Sequence, residues 1–313
     1  MKLGVVTVTF NSAPVLEDFV ESLNAQTYRD WTLYAVDNAS SDETCSWLRE
    51  HLPPGGVLLG NDHNAGFAAG SNQGIRRALA DGCDAVLLLN NDVVFGSELL
   101  EQLVAGMHEH RCDMTTCLMY YHEPKDRIWA AGGTLQPRLA RNLHRGQNEM
   151  DIGRYATPCK VTFAPFCCVL IARSVFDRIG LLDERYFTYG EDADFMYRCL
   201  RAGVSLWYVP QARLWHKVSS LTGYHSPFSV RYGTRNRAYF IGRHLSWPWR
   251  MILNLMYPAY FLLRRVSGLD TRERYRLRMT AWREGKRLFR ESRIDGVVYA
   301  GCSESYSVPE KSA

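Results

Sequence analysis

Four clusters of carboxylate, amide and imidazole groups stand where this chain could do chemistry. Val36-Asp37-Asn38 and Asn90-Asn91-Asp92 each close an apolar, strand-like run. Tyr189-Gly190-Glu191-Asp192-Ala193-Asp194 opens a helical pattern, and Trp215-His216 ends another apolar run. In α/β sheets, ligands bind beyond the carboxyl ends of strands. There Asp37 can accept bonds from a nucleoside, or it can order a turn. Hard divalent cations take oxygen ligands, often one or two carboxylates plus substrate phosphates. Asp92 is placed for that role, and equally for a strand-end Asx turn. Glu191, Asp192 and Asp194 would complement a helix dipole. Their aromatic approach, Tyr186-Phe187-Thr188-Tyr189, is also a setting that raises a carboxyl pKa, as a general base requires. His216 is a candidate metal ligand or a packed histidine. Asn64-Ala65-Gly66-Phe67-Ala68-Ala69-Gly70-Ser71-Asn72 is a glycine-spaced helix entry. Its amides could face a phosphate, or its glycines could admit close packing against a sheet. It is neither a P-loop nor a GxGxxG fingerprint.

Strands must carry these groups. The pattern predicts strands over 3–9, 31–36, 57–59 and 84–89. The first helix starts at Ser12 and Pro14, with Val15, Leu16, Phe19, Val20 and Leu23 on one face. Ser40, Ser41 and Asp42 would cap the second helix, with Glu43 in capping-box spacing from Ser40. Further helices are expected over 68–79 and 97–108. Alternating strands and helices argue for a mostly parallel sheet covered on both faces. Beyond residue 110 the alternation loosens. A hairpin or bent strand is expected over 128–135, strands over 162–172 and 205–209, and a helix over 192–202. From about Tyr239 the pattern is helical and basic, and the polar tail after Gly301 reads as disordered.

The 313 residues can bury a large core, and 46% apolar with 22% charged residues is ordinary for a globular protein. No apolar run approaches the roughly 20 residues of a membrane span. The N-terminus runs through Thr7 and Thr9 into Asn11-Ser12-Ala13-Pro14, a strand rather than a signal-peptide core. The nine cysteines form no CxxC pair, so neither a zinc site nor a disulfide framework is expected, and the thiols suit a reducing cytoplasm. The net charge of +4 is unevenly placed. Between Arg264 and Arg293 lie 11 of the 37 Lys and Arg but 4 of the 33 Asp and Glu.

Six segments, in order, resemble the inverting glycosyltransferases of family 2, and within them the bacterial rhamnosyltransferase-like branch. They are Val6-Thr7-Val8-Thr9-Phe10-Asn11, Val36-Asp37-Asn38-Ala39-Ser40-Ser41-Asp42, Asn64 to Asn72 as quoted above, Leu89-Asn90-Asn91-Asp92, Phe187-Thr188-Tyr189-Gly190-Glu191-Asp192-Ala193-Asp194 and Arg235-Asn236. The resemblance covers about residues 3–240. It implies an α/β GT-A fold, a Rossmann-like nucleotide-diphospho-sugar transferase with a C-terminal helical extension. The implied division is a catalytic domain over 1–240 (nucleotide-binding 1–110, acceptor-binding 111–240), a basic helical region over 241–300 and a tail over 301–313.

The resemblance further implies a nucleotide-diphospho-sugar donor near Thr9, Asn11, Asp37, Asn38, Asn64, Gly66, Asn72, Asn90 and Asn91. A divalent cation, Mg²⁺ or Mn²⁺, would sit on Asp92 and His216, with Asp192, beside Glu191, as catalytic base. Asn90 stands in the first position of the family's DXD-type motif, leaving Asp92 as that motif's only charged ligand. Asp192 would deprotonate an acceptor hydroxyl attacking the anomeric carbon opposite the leaving group. Loops around 222–229 would exclude water. The branch suggests rhamnose from dTDP-rhamnose and a glycan or lipid-linked glycan acceptor in bacterial surface polysaccharide synthesis, with no nucleic-acid partner. Two other functions compete. A sugar-nucleotide pyrophosphorylase would need a basic glycine-rich loop where Asn11-Ser12-Ala13-Pro14 stands. A non-catalytic sugar- or nucleotide-binding module leaves Asp92, Asp192 and His216 without a purpose. Residues 251–263 with the basic stretch to 293 suit a peripheral contact with anionic lipid, or packing on the catalytic domain or a second subunit.

Overall fold

The computed structural model describes residues 1–218 and 226–294. The first elements are β1 (Leu3–Thr9), α1 (Ala13–Asn24), β2 (Trp31–Asp37), α2 (Thr44–His51), β3 (Val57–Gly60), α3 (Gly66–Ala80), β4 (Ala85–Leu89), a short β5 (Val93–Phe95) and α4 (Leu99–Glu109). Strands β3, β2, β1 and β4 lie side by side in parallel. Every residue of β4, Ala-Val-Leu-Leu-Leu, is buried, as a strand covered on both faces requires. Leu16, Phe19 and Leu23 of α1 and Leu100 and Leu103 of α4 fill one face of the sheet. Ile75 and Ala78 of α3 fill the other.

The capping box expected before α2 does not form. Glu43 itself occupies the N-cap position, and the Ser40 amide and hydroxyl both donate to Asp37. Asp37 takes the Ser40 amide that the Glu43 carboxylate would accept in a capping box.

The second half holds more strand than the sequence pattern marked. β6 (Met114–Tyr121) was not anticipated, yet it is almost wholly buried. β7 (Ile128–Ala131) and β8 (Gly133–Gln136) bend apart at Gly132, whose φ is +69°. They do not form a hairpin with each other: β7 pairs with β6, and β8 with β9 (Arg141–His144). The strand expected over 162–172 is only β11 (Cys168–Ala172), preceded by a separate β10 (Cys159–Val161). After α5 (Arg173–Ile179) and α6 (Glu191–Arg201), β12 (Leu206–His216) runs well past residue 209, through an irregularity between Val209 and Arg213. The long path of the sheet is β10-β12-β6-β11-β4-β1-β2-β3, with β10 and β11 running against the rest.

Three helices complete the described chain: α7 (Pro227–His244), α8 (Trp247–Val266) and α9 (Arg272–Ile294). The division at residue 240 cuts α7, so the helical layer begins instead at Pro227. Ser226 caps that helix, its Oγ accepting from the Ser229 amide at 3.2 Å. Residues 222–225 of the expected loop, and the tail over 301–313, lie outside the described residues. The layer has its own apolar cluster of Ala238, Ile241, Leu253, Tyr257, Phe261 and Trp282. Helices α7 and α9 touch so closely that a Cβ on Gly285 would stand 1.9 Å from the Arg235 carbonyl oxygen. Among the described residues no helix is long and apolar enough to cross a membrane.

Candidate active site

The parallel register sets Thr9 directly beside Asp37 at the ends of β1 and β2. Asp37 accepts from Thr9 Oγ1 at 2.9 Å, the Ser40 amide at 2.9 Å and Ser40 Oγ at 2.5 Å. Burial pushes this carboxyl up, but donors from Ser40, Cys45 and Thr9 outweigh it and hold it below its ordinary value. Ser40 Oγ also accepts from the Asn11 amide at 2.9 Å, and Asn11 Oδ1 accepts from the Ser41 amide at 2.8 Å. Asn11 and Ala39 both have left-handed backbones, with φ of 50° and 59°. The two strand-end loops thus form one rigid polar floor around an ionised carboxylate. Ser40 escaped the sequence reading as a site residue because it looked like a helix cap.

Asn91 Nδ2 donates to the Val8 carbonyl at 3.0 Å and Ser12 Oγ at 3.2 Å, fastening the end of β4 to β1. Asn90 is half-buried, with its amide on the Cys167 carbonyl. Asp92 leads into β5, which pairs with the end of β12 so that Val93 faces His216. This pairing brings together residues 124 positions apart: His216 Nε2 lies 3.1 Å from Asp92 Oδ1. Both are buried, and His216 Nδ1 has no hydrogen-bond partner.

The start of α3 departs from a phosphate cradle. Asn64 Oδ1 accepts from the Gly66 amide, and the Ala68 amide goes to the Phe187 carbonyl. A Cβ on Gly66, already at φ +85°, would strike Phe187 at 2.5 Å, and one on Gly74 would strike Val6 at 2.5 Å. These glycines serve close packing, and that end of the helix is closed by the 187 loop. Asn72 is a buried clasp: its side chain bonds the Leu182 carbonyl, the Leu182 amide and Glu184. Asn38 Nδ2 donates to the Gly66 carbonyl at 3.0 Å. The polar floor is therefore tied through Gly66 and Phe187 to the loop that carries Glu191 and Asp192.

That loop is bent unusually, with Phe187 at φ 63°, Tyr189 at 64° and Gly190 at 99°. Asn236 holds it, donating to the carbonyls of Tyr186, Thr188 and Tyr189 at 2.8, 2.7 and 2.6 Å. Left-handed non-glycine residues persist only when their surroundings over-determine them. Asn236 was visible in the sequence only as part of a motif, with no role attached. The three acids that follow take different states. Asp194 is fully buried and accepts from Arg198 at 2.9 Å and His244 at 2.6 Å, with Arg243 at 3.3 Å. Burial alone would raise it, but Arg198, His244 and Arg243 hold it far below its ordinary value. Glu191 is pushed up to about 8 by burial and by the Asp192 charge, and its Oε2 has no hydrogen-bond partner. Asp192 is pushed up to about 6 by burial, against backbone amides that lower it, including Ala193 N at 2.7 Å. Both carboxyls are thus raised, so the pair holds its protons to higher pH than free carboxylates do.

Glu191 and Asp192 line a cleft of about 270 Å³, walled by Leu135, Asn142, Tyr189, Phe240 and two arginines, Arg141 and Arg237. Asp37, Asp92 and His216 are not in its wall. The arginines, on β9 and α7, carried no signal in the sequence. The arrangement separates a polar floor at the strand ends from a cleft lined by two raised carboxyls.

A strand-end polar floor on an α/β sheet, tied to a cleft lined by carboxyls, suits a nucleotide-sugar-dependent glycosyltransferase. The chain belongs to glycosyl transferase family 2, whose model matches residues 4–180, more than half of it. It is 26% identical over 269 residues to the N-acetylglucosaminyl-diphospho-decaprenol L-rhamnosyltransferase of Mycobacterium tuberculosis, covering 79% of this chain and 86% of the relative. It is 21% identical over 243 residues to the dTDP-rhamnosyl transferase RfbF of Shigella flexneri, covering 74% and 77%. Among solved structures it superposes on TarS 1–349 of S. aureus in complex with UDP-GlcNAc, with a TM-score of 0.56, 18% identity and coverage of 95% and 84%. It also superposes on the mannosyltransferase PcManGT of Pyrobaculum calidifontis in complex with GDP-Man and Mn²⁺, with a TM-score of 0.53, 16% identity and coverage of 95% and 87%. The fold is GT-A, and the enzyme transfers sugar from a nucleotide-sugar donor.

Proposed function

We propose that this enzyme moves rhamnose from dTDP-rhamnose, with inversion, onto a lipid-linked glycan acceptor in cell-surface polysaccharide synthesis. The donor sugar and the acceptor class rest on the two rhamnosyltransferase relatives. The observation that carries the chemistry is Asp192 in the wall of a cleft, its carboxyl pushed up by burial. It accepts the acceptor hydroxyl proton as the oxygen attacks the anomeric carbon, and the nucleoside diphosphate leaves from the opposite face. One protein carboxylate at the reacting centre suffices for inversion by a single displacement. Asp37 and Asn11 position the nucleoside, while the Asn236-braced loop fixes the base.

A divalent cation fits Asp92 and His216: a carboxylate oxygen and the imidazole Nε2, an oxygen and a nitrogen donor, lie 3.1 Å apart there. Among the described residues no three His, Cys, Asp or Glu gather into a complete site, so donor phosphates would supply the remaining ligands. Such an ion screens the charge that develops on the leaving diphosphate.

Helix α8 offers a face to each reading of residues 251–263. Leu253, Tyr257 and Phe261 pack inward, while Met251, Ile252, Leu255, Leu262 and Leu263 are exposed. Arg264 and Arg278, two of the basic residues between 264 and 293, pair with the buried Asp270 at 3.0 and 2.9 Å. The remaining basic residues of α9 beside the apolar face support a peripheral lipid contact.

The test is a screen of nucleotide-sugars for hydrolysis and transfer, with Mn²⁺, Mg²⁺ or EDTA, on the wild type and Asp92→Ala. dTDP-rhamnose is expected to turn over, to stop with EDTA and to bind more weakly to Asp92→Ala. Turnover of another donor alone would overturn the sugar assignment, and full rate in EDTA would overturn the metal.

A further inference from the structure

The geometry points to Arg141 and Arg237 as the residues that grip a phosphate group of the acceptor, one step removed from the hydroxyl that Asp192 activates. This deepens the transferase reading and rests on it. Both guanidiniums line the same cleft as Asp192 and Glu191. Neither has a carboxylate partner among the described residues, although most arginines around this site do: Arg185 pairs with Asp183, Arg198 with Asp194, and Arg243 with both. Two guanidiniums that line one cleft, neither held by a carboxylate, suit phosphate oxygens. The Arg237 guanidinium lies 5.3 Å from the ring centroid of Tyr257 on α8, and the same helix exposes Leu255 and Leu263, at 72% and 64%. Base, cationic pair and a helix with exposed hydrocarbon would answer the hydroxyl, phosphate and lipid of a prenyl-diphosphate-linked sugar. A free sugar phosphate offers the same anion without the lipid.

The experiment is calorimetric binding of farnesyl diphosphate to the full chain in EDTA, with glucose 1-phosphate and farnesol as comparators. No nucleotide-sugar is present, so a wrong donor assignment leaves the result intact. Farnesyl diphosphate is expected to bind, with affinity falling roughly 10- to 100-fold in R141Q/R237Q and recovering largely in R141K/R237K. Farnesol should not distinguish the variants, and Asp92→Ala should bind as the wild type does. Unchanged melting of the arginine variants shows that they fold. Glucose 1-phosphate binding as tightly as farnesyl diphosphate, with the same arginine dependence, supports the anion site and assigns it to a soluble sugar phosphate. Affinity indifferent to both arginines overturns the proposal. So does affinity lost in Asp92→Ala alone, which would place the diphosphate on the donor side.

Discussion

The strand-end floor around Asp37 and the cleft around Asp192 both bury carboxylates, and they treat them oppositely. Asp37 is surrounded by hydroxyl and amide donors and lies below its ordinary pKa. The backbone amides around Asp192 and Glu191 do not offset burial, and the two rise to about 6 and about 8. A saturated carboxylate is a fixed acceptor for recognition, whereas an under-solvated one is a reagent. Asp194, two residues past Asp192 on the same helix, shows that burial alone does not decide this: with Arg198 and His244 beside it, it is an inert structural anion.

The strongest way to break this contrast is Asp192→Asn. An amide keeps the shape but accepts no proton, so transfer should fall on the order of 10² to 10⁴. Nucleotide binding, read by calorimetry, should stay within error of the wild type. Comparable turnover by the purified variant would remove Asp192 from the mechanism.

Asp37→Ala tests the other side. It strands the donors of Thr9 and Ser40, so nucleotide affinity and folding stability should each drop by about 1–3 kcal/mol. The pH midpoint of the rate should not move. A shifted midpoint would mean that the floor and the cleft are electrostatically one site.

The smallest effect sharpens the comparison within the cleft. Activity requires Asp192 deprotonated, so kcat/KM should rise with pH through about 6 and level off near neutrality. Glu191 is still protonated across that range. Glu191→Gln exchanges one neutral group for another and should change the rate by about 1 kcal/mol or less, fivefold at most. The two profiles should separate only near pH 8, where the wild type gains a second negative charge. A tenfold loss at pH 7 in Glu191→Gln would show that Glu191 acts directly.

Much of the N-terminal half was legible in the sequence. Strands such as Ala85–Leu89, buried on both faces, leave continuous apolar runs, and turn residues punctuate them. Legibility failed at β6, where Thr115 and Thr116 interrupt the apolar pattern; both hydroxyls are buried on backbone carbonyls of Leu103 and Cys168. It failed again at Ser40, whose spacing to Glu43 mimics a helix cap. The glycine run of α3 was read for both packing and phosphate contact, and the fold uses it for packing against Phe187 and Val6.

By itself the sequence determined the alternating α/β framework and the positions of Asp37, Asp92, Asp192 and His216 at element ends, because strand and helix periodicity are local properties. Only the tertiary structure decided what those residues become. The β5–β12 pairing delivers His216 to Asp92, and α7 delivers Asn236 to the base loop and Arg237 to its cleft. The pKa order of the three acids on α6 arises from partners on that helix and on α7. Burial and charge are sums over neighbours distant in the chain, and a linear pattern of residue types does not contain them.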